Sequence, residues 1–113
     1  MEKRLGKMLK RFLSIYITYS ILKTIRDNGT CTRSDLIDRV EMSRQVVDSH
    51  IRILKGKGLI KDFVCKEDER KKHYGLTGKG FSLYQRLKRF DREFEEVFRR
   101  VKRVVDEVDE HVA

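Results

Sequence analysis

Six side chains between Arg44 and Lys55 could do chemistry together: Arg44, Gln45, Asp48, Ser49, Arg52 and Lys55. On a helical projection Gln45, Asp48, Ser49 and Arg52 share one face, with Arg44 near the start and Lys55 at the edge. The set offers hydrogen bonds and charge rather than bond making. Arginine donates to guanine, aspartate accepts from the cytosine amine, and glutamine and serine serve several base edges, so the face suits the DNA major groove. Asp48 is expected to accept from cytosine and Arg52 to donate to guanine or phosphate.

The opposite side of the same stretch supplies the support. Val47, His50, Ile51 and Leu54 recur at helical spacing and form an inward stripe. Ser43 suits an N-cap, and Gly58 suits a left-handed stop before Leu59-Ile60 begins an extended run. Upstream, Ser34 is expected to cap a second short helix, Asp35 to Val40, with Leu36, Ile37 and Val40 inward. Glu41-Met42 then makes a tight turn into the helix of residues 43–57, a helix-turn-helix arrangement.

Met1 to Asn28 reads as one helix or as two joined near Gly6. Its apolar stripe, Leu5, Met8, Phe12, Ile15, Tyr19 and Leu22, is wider than a three-helix core needs. Asn28-Gly29 closes it, and Thr30 to Thr32 forms a short first strand. Beyond Gly58, Leu59 to Lys66 and Lys72 to Leu76 read as two more strands. The tip between them carries Arg70, Lys71 and Lys72 beside Glu67, Asp68 and Glu69. The cations, with His73, suit the minor groove or its phosphates, whereas the acids beside them also fit a solvated turn.

The run Ser43…Val47-x-x-His50-Ile51-x-x-Leu54-x-x-x-Gly58-Leu59-Ile60 resembles the recognition helix of winged helix-turn-helix regulators of the ArsR, MarR and PadR kind. Tyr74-Gly75-Leu76-Thr77-x-x-Gly80 resembles the end of their second wing strand. The likeness spans roughly Ile17 to Leu87. It implies a mainly α fold with a small β-wing, residues 66–73 forming that wing, and double-stranded DNA as partner. In that fold the first and second strands lie on either side of the third. This separation argues against a disulfide between Cys31 and Cys65, which read as two reduced thiols.

Composition agrees with a polyanionic partner. The 113 residues carry 27 Lys and Arg against 18 Asp and Glu, a formal charge of +9. Residues 1–12 hold five bases and one acid, while Asp106 to Glu110 is acidic. Phe12 to Leu22 is too short and too polar to cross a bilayer, so no membrane partner is expected and the location is read as cytoplasmic and nucleoid-associated. The Lys, Arg and Glu content fits a thermophile, and we read an archaeal or archaeal-virus origin from it. No phosphate loop, nucleophile motif or paired carboxylate in a predicted pocket appears. Cys31, Cys65, His50, His73 and His111 lack metal-ligand spacing. The expectations are therefore no enzymatic activity, no metal and no cofactor.

The last segment carries a second pattern. Leu83, Leu87, Phe90, Phe94, Val97, Val101, Val104 and Val108 alternate steps of four and three, the spacing of a heptad seam. A single helix from Thr77 to about His111 would reach roughly 50 Å. Its seam calls for a partner, and a second copy is the simplest one. With Leu87, Phe94, Val101 and Val108 at a positions, an antiparallel register sets Arg86 against Glu107 and Glu93 against Arg100. It also packs large on small in every layer. Phe98, Val105 and Val112 add apolar area suited to the N-terminal helix.

The expected organisation is a DNA-binding unit over residues 1–80 and a coiled-coil dimerisation helix over 81–113. The expected function is a sequence-specific transcriptional regulator acting as an antiparallel homodimer. Long coiled-coil winged-helix dimers also resemble small basic proteins of archaeal chromatin, so an architectural role binding DNA with little sequence preference stays open. A winged helix used only to dock another protein stays open as well. Asp48 on the helix face favours specific readout, since an acid there would repel phosphates.

Overall fold

A computed structural model describes the backbone of residues 2–64, 67 and 72–112 and the side chains of 7–64, 67 and 72–110. Helix α1 (Glu2–Asn28) is continuous through Gly6 and is followed by β1 (Cys31–Thr32), α2 (Arg33–Arg39) and α3 (Arg44–Gly56). Strands β2 (Ile60–Val64) and β3 (Lys72–Leu76) form a hairpin, and helices α4 (Gly78–Lys88) and α5 (Asp91–Val112) complete the chain. The three antiparallel strands lie in the order β1-β3-β2, so β3 separates Cys31 from the strand leading to Cys65, as expected. Cys31 is a buried free thiol, and Cys65 lies outside the described residues.

The core gathers one stripe from each helix. Ile17, Ile21, Leu22 and Ile25 of α1 meet Leu36 of α2, Val47, Ile51 and Leu54 of α3, and Tyr74 of β3. The N-terminal half of α1 runs past this core, leaving Met8 71% and Ile15 45% exposed. Part of the wide apolar face of the first helix is thus surface, while Phe12 and Tyr16 lie against Phe94 and Phe98 of α5. No described helix is long and apolar enough to cross a membrane.

Two ends differ from the sequence expectation. Thr32, not Ser34, caps α2: its hydroxyl accepts from the Asp35 amide, and the Asp35 carboxylate accepts from the Thr32 amide. This reciprocal box satisfies two amides that a helix start leaves open. The single helix expected after Thr77 is instead two, parted at Arg89-Phe90. There the Phe90 amide bonds the Leu87 carbonyl at 2.9 Å in a tightened last turn. No glycine or proline forces this break; tertiary contacts do. The Asp91 carboxylate accepts from the Tyr19 hydroxyl and from Lys23 Nζ at 3.2 Å, fixing the start of α5 on α1. The break lets Phe94 turn inward against Phe12, Tyr16 and Tyr19.

The heptad seam therefore divides. Phe94 is buried, and Leu83 and Leu87 pack partly buried on the core. Phe90, Val97, Val104 and Val108 stay exposed, and Val101 is half-buried. Phe98 stacks on Tyr16 at 4.4 Å, the α1 contact anticipated for it. At 22 residues α5 extends roughly 33 Å, and its second half carries the exposed valines beyond the core.

Two glycines hold the sheet to its helices. Gly58 has φ +70°, the left-handed stop expected after α3. Gly80 lies so close to Leu59 that a Cβ there would stand 1.9 Å from the Leu59 carbonyl oxygen. Beside it the Thr77 hydroxyl accepts from the Gly80 amide, as the expected cap of α4.

Candidate nucleic-acid interface

Helix α3 is set by its neighbours before any partner arrives. The Ser43 hydroxyl accepts from the Val46 amide at 3.3 Å, and the Val47 amide bonds the Ser43 carbonyl at 3.0 Å. Val47, Ile51 and Leu54 then anchor one side in the core. His50, at the rim of that side, bonds the Val46 carbonyl through Nδ1 at 2.9 Å and Ser14 Oγ through Nε2 at 3.3 Å. A carbonyl only accepts, so Nδ1 donates there. Both ring nitrogens are engaged, and the histidine is structural.

The outward face carries the side chains the sequence pointed to. Arg44, Gln45, Ser49 and Arg52 are exposed. Asp48 and Lys55, both expected on the DNA-contacting face, are each tied to another element. Arg33 of α2 donates to Asp48 from Nε to Oδ1 at 2.6 Å and from Nη2 to Oδ2 at 2.7 Å. The Arg33 bond, with Arg52 and Arg44 nearby, holds the Asp48 carboxyl below its ordinary range. Lys55 Nζ donates to Asp62 of β2 at 2.9 Å, which raises the lysine above its usual value. The acid that would repel phosphates is thus partly cancelled by a cation from α2.

At the hairpin, Lys72 begins β3 and is exposed, whereas Arg70 and Lys71 lie outside the described residues. His73 pairs in register with Phe63 and with Thr32, within the sheet rather than at its tip. On α1, Lys7, Lys10 and Arg11 are exposed; the side chains of Lys3 and Arg4 lie outside the described set.

Sequence reasoning passed over four side chains of this surface. Arg33 comes from a different helix, and a contact across 15 residues leaves no local pattern. Ile53 is 47% exposed, one turn beyond Ser49 on the outward face, and that four-residue spacing was a readable signal. Phe63 and Val64, 46% and 70% exposed on β2, looked like ordinary sheet residues because alternation does not show which strand has an open side. Among the described residues no group of three or more His, Cys, Asp or Glu could hold a metal ion.

The geometry can be set beside known proteins. Several solved structures share the fold, among them the following three. A mutant MarR from E. coli complexed with operator DNA is 16% identical, with a TM-score of 0.60 over 94% of this chain and 91% of that one. The S. aureus MepR–DNA complex is 18% identical, with a TM-score of 0.59 over 96% and 93%. The transcriptional regulator BldR from Sulfolobus solfataricus is 19% identical, with a TM-score of 0.59 over 81% and 73%. No curated protein matches the chain in sequence. The model of the winged helix-turn-helix family matches residues 10–95, which take in the capped α3, the hairpin and the first turn of α5. The chain belongs to the winged helix-turn-helix family.

Proposed function

We propose that this protein is a sequence-specific double-stranded DNA-binding transcriptional regulator that acts as a homodimer and catalyses no reaction. Residues 43–57 enter the major groove and the wing of residues 66–73 lies on the minor groove or its phosphates. One observation carries the reading: α3 buries Val47, Ile51 and Leu54 while presenting Arg44, Gln45, Ser49 and Arg52 to solvent. A face of mixed donors and acceptors reads base edges, whereas phosphate binding alone needs only cations. The DNA complexes of MarR and MepR lend support through their shared fold.

The dimer reading rests on the exposed part of the seam. Residues 81–113 serve dimerisation chiefly through α5, since Leu83, Leu87 and Phe94 face the chain's own core. An antiparallel pair of α5 helices then favours the register that sets Val97 on Val108 and Val101 on Val104. It places Arg100 against Glu107 across the flank, while the neighbouring register would oppose Glu93 to Glu107 and Arg100 to itself. Equilibrium titration of duplex DNA across salt concentration tests the function. Tight binding that weakens on a log-linear slope with salt is expected. Absence of binding even at low salt would leave the winged helix as a protein-docking module.

A further inference from the structure

The fork between Arg33 and Asp48 has a role that folding alone does not explain. Its two bonds, 2.6 and 2.7 Å, fix both the plane and the rotation of the carboxylate. The side chains are 48% and 33% exposed, so the pair stands at the surface. A solvent-exposed pair of this kind contributes little to stability. Arg33 does not cap its own helix either, because Thr32 and Asp35 do that. What the fork does is hold one acidic side chain still on the outward face of α3, between Arg44 and Arg52.

Each carboxylate oxygen keeps a lone pair after accepting one N–H from Arg33. In the major groove, cytosine N4 and adenine N6 donate, while guanine and thymine present acceptors there. We propose that Arg33 is a positioning residue for base readout, holding Asp48 as an oriented acceptor that selects cytosine or adenine at one position of each half-site. Arg33 also cancels the charge with which a loose Asp48 would repel phosphate. A lysine in its place would keep the charge but could not form the planar two-point fork. This inference rests on the DNA-binding reading above.

The test uses the full chain as wild type, Arg33→Ala, Arg33→Lys, Asp48→Asn and the double variant Arg33→Ala/Asp48→Asn. Each is taken through selection from random duplex DNA, affinity on the wild-type site, and thermal melting. The wild type should restrict one position per half-site to cytosine or adenine. Arg33→Ala should blur that position alone and weaken binding about tenfold, within the range of one specific base contact. Arg33→Lys should bind nearly as tightly yet blur the same position, which a merely charge-balancing arginine would not do. The double variant should bind more tightly than Arg33→Ala, because the loose acid is gone. A wild-type motif that survives unchanged in Arg33→Ala and Arg33→Lys overturns the inference and leaves the regulator reading standing. So does a loss in Arg33→Ala that is uniform across positions and tracks a lower melting temperature. A wild type that selects no motif overturns both.

Discussion

Arg52 is the side chain whose removal should change recognition with the least change in the fold. It is exposed on the outward face of α3 and makes none of the ion pairs found among the described residues. Arg52→Ala should relax base preference at one position per half-site and cost about 1–3 kcal/mol of binding. Its melting temperature should stay close to that of the wild type, and a binding selection run beside a thermal melt reads both effects. The residues of this face were legible because a helical period sorts side chains into sides without knowledge of the fold. Their partners were not. The ion pairs of Asp48 and Lys55 were not visible because Arg33 and Asp62 sit on other elements, and no periodicity within α3 points to them. The same distance hid the origin of the charge balance, in which an arginine of α2 offsets the acid of α3.

The elements were legible where a local signal was unambiguous and were misread where two signals competed. Ser43, Gly58 and Thr77 terminate their helices as the sequence implied. Thr32 lies in its expected strand, but it and not Ser34 caps α2, and Thr32-x-x-Asp35 spells the capping box that forms. The steps of four and three from Leu83 to Val108 describe one long helix as well as two shorter ones. Only the tertiary seat of Asp91 decides between them. Gly80→Ala would drive a methyl group into the Leu59 carbonyl and should destabilise the fold by about 1–3 kcal/mol, read as a lowered melting temperature. The seat of α5 gives an acid-dependent prediction. The Tyr19 hydroxyl first, and then Lys23, hold the Asp91 carboxyl below its ordinary value of 3.8. A lowered folded value means that this contribution is complete above the ordinary value and disappears as pH falls through the folded one. The wild type should therefore lose stability in that acid range more steeply than Asp91→Asn, and melts taken along a pH series would show the difference.

At the scale of the whole molecule, the proposed homodimer rests on the exposed face of α5. Helix α5 carries exposed valines, and Asp106, Glu107, Asp109 and Glu110 make its last turns acidic. Antiparallel pairing of α5 predicts that Arg100→Glu, which faces Glu107 with a second acid, weakens the dimer. Arg100→Glu/Glu107→Arg should restore it, as sedimentation equilibrium would read; a double variant as weak as the single one would rule out this register. The apolar seam was legible in the sequence, but which part of it stays exposed was not, because Phe94 is drawn into the core by aromatic neighbours 75 or more residues away in sequence. The most direct measurement of the central claim is selection of the wild-type chain on random duplex DNA, followed by affinity against salt for the selected and an unrelated sequence. A two-part motif bound about a thousandfold or more above unrelated DNA is the predicted result. Binding that follows only salt and duplex length, with no motif, would contradict it and make the protein an architectural binder.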